Sequence, residues 1–277
     1  MTRAAAGAGP SYPPGVVLHI PHHSKVIPPQ VREQFLLDPH DLQREMIRMT
    51  DHRTLGIFAG RNPAIPVVAA QVSRLVVDVE RFLDDGQEPM AALGMGVIYA
   101  RTSAGSPLRR PLAAAERERL LARHYHPHHK LLLDATDAAL RVHGRCLILD
   151  GHSFPSAPLP FELDQDPDRA EICIGTDAFH TPPWVEAIFI SVFRQAGFTV
   201  ACNRPFAGAL VPLEHYRRES RVASIMVEIN RATYLDEGSA NPLGSFGRMA
   251  RRIRRACRAA CWMAMRECNQ SPHWAAN

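Results

Sequence analysis

The chain has 277 residues, of which 46% are hydrophobic and 22% charged, and its formal net charge is +4. These values are typical of a globular protein with a substantial core, and the weakly basic balance does not by itself indicate a nucleic-acid-binding protein. The sequence has no apolar run of about 18 residues and no apolar secretory stretch near its start. Its six cysteines include no C-x-x-C pair, which argues against a zinc ribbon or a thioredoxin-type motif. We therefore expect a soluble, reduced, cytoplasmic protein.

The first residues, 1–14, are small and rich in proline and glycine, which predicts a flexible leader. Beyond it, short apolar runs rich in β-branched residues predict buried strands. These runs cover residues 16–20, 66–71, 75–80, 96–101, 146–152, 171–176, 199–203 and 224–230.

Three segments between these runs have helical periodicity, at residues 113–125, 130–144 and 182–197. The second ends at Gly144, a residue type favoured just beyond a helix, and the third begins with proline and ends with glycine. Strands that alternate with helices favour a central mixed, mostly parallel sheet flanked by helices. We predict one α/β domain over residues 15–277.

The C-terminal segment 246–268 contains seven arginines. Its small and apolar side chains fall on one helical face, which predicts a terminal helix with a buried stripe and a solvated basic face. A nucleic-acid or membrane-surface role for that basic face is the alternative, and we expect neither partner. The predicted stripe consists of Ile253, Cys257, Ala260, Cys261, Ala264 and Cys268.

Polar side chains follow four of the predicted strands, at the edge where open α/β sheets build their sites. Carboxylates buried there are costly unless they are paired or bound to a cation. A zinc ion with three His or Asp/Glu ligands would account for the set, with another carboxylate for proton transfer and an arginine for an anionic substrate. The residues are His22, His23, Asp78, Glu80, Arg81, Asp150, His152, Ser153, Glu228, Asn230 and Arg231.

Each of these groups also has a structural explanation. A histidine near a strand end, such as His19 or His23, is often a hydrogen-bonded bystander, and Asp78 with Arg81 would form an ordinary salt bridge. The histidine-rich segment 124–129 would be a loop that enters a helix, although we expect His126 or His129 to line the site. No H-E-x-x-H motif is present to decide between these alternatives.

Eight segments, in order, resemble the N-formylglutamate amidohydrolase family, over about Val17 to Glu237. The resemblance implies a zinc-dependent hydrolase of the phosphorylase/hydrolase-like α/β fold, related to zinc carboxypeptidases and aspartoacylase-type deacylases. The best-known members of the family act in histidine degradation. The segments are IPHHS (20–24), SRLVVDVERF (73–82), GMGVIYARTS (94–103), YHPHHKLL (125–132), LILDGHSFPS (147–156), ICIGTD (172–177), NRPFAGALVP (203–212) and VEINRATYLDE (227–237).

The resemblance implies that His22 and His152 are zinc ligands, and that either Asp78 or Glu80 is the third. Many relatives have D-x-N-R at that point, whereas this chain has D-V-E-R over residues 78–81. We favour Glu80 over Asp78 as the third ligand.

The resemblance further implies that Glu228 is the general base and that Asp150 orients His152. The implied reaction hydrolyses an N-acyl amino acid, most simply N-formyl-L-glutamate. A different N-acyl substrate, or a non-catalytic binding protein on this scaffold, is the alternative. The sequence carries no signal for oligomeric state. The residues expected to contact substrate are Arg81, Arg231, Asn203, Arg204, His126 and Ser153.

Overall fold

A computed structural model describes residues 11–61 and 64–270 of the chain. A six-stranded sheet forms its centre, with α-helices on both faces. The strands are β1 (Val16–Ile20), β2 (Val67–Ala69), β3 (Cys146–Phe154), β4 (Ile172–Gly175), β5 (Val200–Cys202) and β6 (Val222–Asn230), followed by the separate hairpin of β7 (Leu235–Asp236) and β8 (Asn241–Pro242). The α-helices are α1 (Pro29–Arg32), α2 (Pro39–Met49), α3 (Thr54–Phe58), α4 (Ala114–Leu120), α5 (His126–His143), α6 (Pro183–Gln195) and α7 (Phe246–Gln270).

The strand order of the sheet is β2-β1-β3-β6-β4-β5. Only the β4–β6 pair is antiparallel among these neighbours, and the other four pairs are parallel. Helix α5 packs against β1, β2 and β3, whereas α3, α6 and α7 belong to the core on the other face. Every residue of β3 and β6 is buried, as expected for strands covered on both faces. The predicted mixed, mostly parallel α/β sheet is therefore confirmed.

Two predicted strands, over residues 75–80 and 96–101, form irregular backbone instead. Their apolar side chains are buried in a second core cluster together with side chains of α1, α2 and α4. The buried guanidinium of Arg109 donates to the carbonyl oxygens of Leu75 and Val76, at 2.6 and 3.2 Å. An apolar run predicts burial, but it does not fix a strand where side chains can satisfy the backbone.

The histidine-rich segment 124–129 is helical and is not the loop that we expected. Helix α4 continues through a π-helical turn, Leu121–Tyr125, directly into α5. Pro127 lies in the first turn of α5, and the wider π turn before it relieves the steric conflict that a proline causes within a helix. Gly144 ends α5 with a φ of 72°, as its position in the sequence predicted.

Helix α7 buries the predicted stripe of small and apolar side chains against α3 and α6. The side chain of Cys268 lies outside the described residues. Part of the basic face is anchored to the domain, because Arg252 donates to the carbonyl of Ala196 and Arg254 to that of Ile57. Within the described part of the chain, no helix has the length and apolar character needed to cross a membrane.

The predicted leader lies only partly within the described residues, because residues 1–10 fall outside them. Tyr12, near its end, is buried and donates its hydroxyl to the carbonyl of Phe58 at 3.0 Å. This contact packs the residues just before β1 against the domain.

Candidate metal centre and active site

The first element of the site is His22, which lies two residues beyond the end of β1. Pro21 ends the strand, and the His22 ring is buried. Its Nε2–H donates to Asp78 Oδ1 at 2.8 Å. Its Nδ1 is also buried and has no hydrogen-bond partner within residues 11–61 and 64–270. One nitrogen held by a carboxylate and the other left free is typical of a metal-binding histidine.

The second element is His152, which lies near the end of β3. Its Nε2–H faces two carboxylates, with Asp150 Oδ1 at 3.0 Å and Glu80 Oε1 at 3.2 Å. Its Nδ1 lies 3.2 Å from Asp51 Oδ2. His152 therefore repeats the arrangement of His22, with Nε2 against supporting carboxylates and Nδ1 directed at Asp51.

Asp51 joins the two histidines, and it was not among the residues expected from the sequence. It lies between α2 and α3, where its backbone N–H donates to the His22 carbonyl at 3.0 Å. Its Oδ1 accepts from Arg231 Nη2 at 2.9 Å, and its Oδ2 lies 3.7 Å from His22 Nδ1. One potential ligand atom each from His22, Asp51 and His152 lie within 4.8 Å of one another.

The two acidic residues considered as third ligand occupy different places. Asp78 is fully buried and accepts hydrogen bonds from Arg74 and Tyr99 as well as from His22. It therefore supports the His22 imidazole at Nε2, on the side away from Nδ1. Glu80 is 18% exposed and lies on the Nε2 side of His152, on the opposite side of the ring from Asp51. Asp51 is thus the carboxylate that lies nearest the Nδ1 atoms of both histidines.

The cluster concentrates negative charge around the two imidazoles. Burial lowers the pKa of His22 and of His152, but nearby carboxylates, including that of Glu80, outweigh it and raise both pKa values above the usual range. Burial raises the pKa of Asp51, whereas the hydrogen bond from His152 and the nearby His22 and Arg231 side chains hold that pKa well below its usual range. The site therefore provides anionic oxygen and imidazole nitrogen to any cation bound there.

Glu228 lies on β6 directly opposite His152 on β3, because the two residues are register partners. Its carboxyl group is buried, and Oε2 has no hydrogen-bond partner in the described part of the chain. Burial is the main reason that the pKa of Glu228 rises to about 8. An unpaired carboxyl group beside candidate metal ligands is suited to proton transfer.

Three of the expected substrate-binding residues line the same small cavity, which we call the catalytic cavity. They are Arg81, Arg231 and Ser153, and the cavity, of about 170 Å³, also contains His22, Asp51, His152 and Glu228. Arg231 is buried, and it donates to Asp51 Oδ1, the Ser153 carbonyl and the Arg48 carbonyl. Its guanidinium holds Asp51 in position, so Arg81 has the freer guanidinium for an anionic substrate.

The structure places the other three expected substrate-binding residues away from the catalytic cavity. Arg204 is 63% exposed and pairs with Asp164 and Asp166. Asn203 has a φ of 54° and binds Thr176 through its side-chain amide, which fixes a turn. His126 is exposed, at the start of α5. Ion pairs hold Arg204 at the surface, and turn geometry fixes Asn203. The sequence motifs that contain these residues do not reveal such local contacts.

Two further histidines have surroundings that match a supporting role. His19 donates from Nδ1 to Asp150 Oδ1 at 2.8 Å, and its Nε2 lies 2.8 Å from Nε2 of buried His128. His129 donates from Nε2 to the Val79 carbonyl at 2.8 Å and lines a second cavity beside the catalytic one. Of the two alternatives, His126 and His129, only His129 lies beside the site.

The described residues fit a zinc ion. Zinc in catalytic sites takes three protein ligands from imidazole and carboxylate groups and keeps one position open. The free Nδ1 of His22, the Nδ1 of His152 and Oδ2 of Asp51 supply that donor set, and Asp78 and Asp150 support the two rings. No other protein group in the described ranges hydrogen-bonds the His22 Nδ1, which a cation would satisfy.

Comparison with known protein families identifies a relationship that covers most of the chain. The family model described as N-formylglutamate amidohydrolase matches residues 15–235. The chain belongs to the N-formylglutamate amidohydrolase family. The residues that build the site, from His22 to Arg231, lie within the matched range.

Two relatives of this chain are named N-formylglutamate deformylase. The protein from Pseudomonas aeruginosa is 29% identical over 177 residues, which are 61% of this chain and 64% of the relative. The protein from Pseudomonas putida is 26% identical over 180 residues, which are 64% of this chain and 67% of the relative. The similarity thus extends over roughly two thirds of each relative.

Two solved structures have the same fold. The crystal structure of an N-formylglutamate amidohydrolase from Ralstonia eutropha JMP134 aligns with a TM-score of 0.74 at 23% identity and covers 95% of this chain and 96% of the other. The structure of a gene product from Agrobacterium tumefaciens aligns with a TM-score of 0.62 at 18% identity, covering 89% and 91%. The overall architecture of this chain is therefore that of the amidohydrolase fold.

Proposed function

We propose that this chain is a zinc-dependent amidohydrolase that removes the formyl group from an N-formyl amino acid, with N-formyl-L-glutamate as the first substrate to test. Family membership and the two relatives named N-formylglutamate deformylase support this proposal. The observation that carries it is the pairing of Glu228 with His152 in register, beside the free nitrogen of His22. The family resemblance alone suggests a place in histidine degradation.

The proposed ligands are His22, Asp51 and His152. Glu80, which we favoured from the sequence, lies against the Nε2 edge of His152, where Asp150 already accepts a hydrogen bond. We therefore propose Asp51 as the third ligand in place of Glu80. Zinc bound by these residues would act as a Lewis acid, which would polarise a carbonyl oxygen and lower the pKa of a bound water to about 7.

Glu228 is the proposed proton-transfer group. In its ionised form it accepts a proton from the attacking water as oxygen adds to the formyl carbon, and it then gives that proton to the amide nitrogen. The C–N bond breaks, and the products are formate and the free amino acid. Burial, which raises the pKa of Glu228 to about 8, makes it a stronger base than an exposed carboxylate once ionised.

The remaining residues bind or orient. Arg81 is proposed to bind the α-carboxylate of the substrate, as a guanidinium can do with two parallel hydrogen bonds. Arg231 keeps Asp51 in place through the hydrogen bond to Oδ1. Ser153 accepts from Arg231 Nε at 3.2 Å, and this bond holds the guanidinium in turn.

Metal analysis combined with formate release tests this function. Purified wild-type protein should contain about one zinc per chain and release formate from N-formyl-L-glutamate, with activity lost to a chelator and restored by zinc. The His152→Ala protein should lose both metal and activity. Zinc-loaded wild-type protein that releases no formate, but cleaves N-acetyl or longer N-acyl amino acids, would show the same chemistry on a different acyl group. Absence of metal at any stoichiometry would refute the proposal.

A further inference from the structure

Beside the catalytic cavity lies a larger cavity of about 490 Å³, which we call the side-chain cavity. The two cavities share Glu80, Arg81, Ala207 and Met226 in their walls, and the proposed chemistry does not use the larger one. We propose that the side-chain cavity binds an apolar amino-acid side chain of the substrate. N-formyl derivatives of methionine, leucine and phenylalanine are then substrates, preferred over those of charged amino acids. This inference rests on the proposed deformylase chemistry.

The walls of the side-chain cavity support an apolar occupant. They include Phe82, Met90, Leu163, Leu210 and Leu213. Leu163 is 95% exposed and Leu213 is 45% exposed, although the exposure of large apolar side chains to water is energetically unfavourable. Exposed apolar side chains gathered around one concave site are typical of a ligand-binding surface.

Arg81 sets the direction of the substrate. Its guanidinium contacts Asp78 and Glu88 only at 3.6 Å, and its buried Nε lacks a hydrogen-bond partner among the described residues. It therefore has donors for a carboxylate at the junction of the two cavities. A substrate whose α-carboxylate binds there has its α-carbon at the junction as well. The side chain on that carbon then extends into the side-chain cavity, while the small formyl group stays in the catalytic cavity.

Charge argues against a second carboxylate in the side-chain cavity. Four acidic residues line it, and Arg81 is the single arginine or lysine in its described lining. A glutamate side chain would meet this negative field, which disfavours its carboxylate. The four acidic residues are Glu80, Glu88, Asp150 and Asp177.

A cationic occupant is disfavoured for a different reason, because hydrogen bonds within the protein already occupy acidic groups of the lining. Glu88 accepts from the backbone N–H groups of Phe82 and Met90. Asp150 accepts from the imidazoles of His19 and His152. Carboxylates engaged in this way offer few free acceptors to replace the hydration that a cationic side chain loses against the apolar walls, so the apolar walls decide the occupant.

The test compares the catalytic efficiency, kcat/KM, of zinc-loaded enzyme on five N-formyl amino acids, measured by formate release. The expected order places N-formyl-L-phenylalanine and N-formyl-L-methionine about tenfold or more above the glutamate, lysine and glycine derivatives. Leu213→Asp adds a charge at the cavity rim. It should lower kcat/KM for the phenylalanine derivative about tenfold more than for the glycine derivative, which has no side chain.

Val142→Asp is the matched control, since Val142 is 70% exposed on α5 and lines neither cavity. It should leave all five efficiencies unchanged. Binding of N-formyl-L-phenylalanine to zinc-loaded Glu228→Gln protein, measured by calorimetry, gives a second readout. It should be tighter than binding of N-formylglycine, and Leu213→Asp in the same background should remove the difference.

The outcomes separate this inference from the proposed function. A preference for the glutamate or lysine derivative over every apolar one, or a Leu213→Asp protein that treats all five as wild type does, overturns the side-chain cavity alone. Failure to release formate from any of the five overturns the deformylase function. In that case calorimetry still decides the cavity, and equal binding of the phenylalanine and glycine derivatives overturns it.

Discussion

His22 and Asp78 form a buried hydrogen bond of 2.8 Å between Nε2 and Oδ1, and this bond fixes which nitrogen of the imidazole faces Asp51. His23, the next residue, is only partly buried, and burial lowers its pKa. We expect His22→Ala to reduce bound zinc from about one to near zero per chain, because one of three ligands is lost. His23→Ala, the matched control, should keep its zinc. Metal analysis of the dialysed proteins measures both, and zinc lost only from His23→Ala would reverse the assignment.

The choice between Asp51 and Glu80 as third ligand gives a second prediction. Asp51→Asn removes the charge nearest the Nδ1 atoms of His22 and His152, so zinc affinity should fall about 100-fold or more. Glu80→Gln changes a group on the far side of His152 and should lower affinity by less than about tenfold. Competition with a chromogenic chelator measures both affinities. The reverse order would return Glu80 to the ligand set, as the sequence predicted.

Substitution of Glu228 tests the chemical step separately from metal binding. Glu228→Gln keeps the size of the side chain but removes the proton acceptor, so kcat should fall about 10²- to 10⁴-fold. Zinc content should stay near the wild-type value, because Glu228 faces His152 from the neighbouring strand and is not one of the three proposed ligands. Steady-state kinetics and metal analysis on the same preparation test this prediction. An unchanged kcat would show that another group transfers the proton.

His129 makes stability depend on pH. Burial lowers its pKa to about 4, below the usual value of 6.5, while its Nε2–H donates to the Val79 carbonyl. The unfolded chain therefore binds more protons than the folded one below about pH 6.5, and His129 alone should cost about 2 kcal/mol of stability between pH 7.5 and pH 5.

The His129→Gln variant isolates this contribution, because glutamine keeps a donor but does not titrate. The free energy of unfolding, measured by urea denaturation, should fall less on acidification than it does for the wild type. His40→Gln, at an exposed position, should retain the full wild-type dependence. Equal acid sensitivity in all three proteins would exclude His129 as a source.

The sequence predicted the parts of the site that lie on regular strands. His22, His152 and Glu228 each follow or belong to an apolar run that forms β1, β3 or β6, so strand pairing alone brings them together. Asp51 gave no such signal, because it lies between two helices and reaches the site through a backbone hydrogen bond to His22. Contacts of this kind join segments far apart in the chain, and local patterns do not encode them.

Irregular segments explain the other differences between the sequence predictions and the structure. Residues 75–80 were expected to be a strand, yet their backbone is held by Arg109 and their apolar side chains join a second core. Arg204 follows a strand, as site residues often do, but Asp164 and Asp166 hold it at the surface. Sequence patterns report which side chains are buried or charged, and only the folded chain shows which partners they find.

The register that pairs His152 with Glu228 also separates the reacting groups, whose spacing the sheet fixes, from the segment that lines the side-chain cavity. Neighbouring strands are held about 4.8 Å apart by their backbone hydrogen bonds, so the spacing of these two side chains does not depend on any loop. The segment that includes Ala207 and Leu213 lines the side-chain cavity without contributing to that spacing. Exchanges of the side chains in this segment can therefore change which molecules are accepted, while the reacting groups keep their alignment.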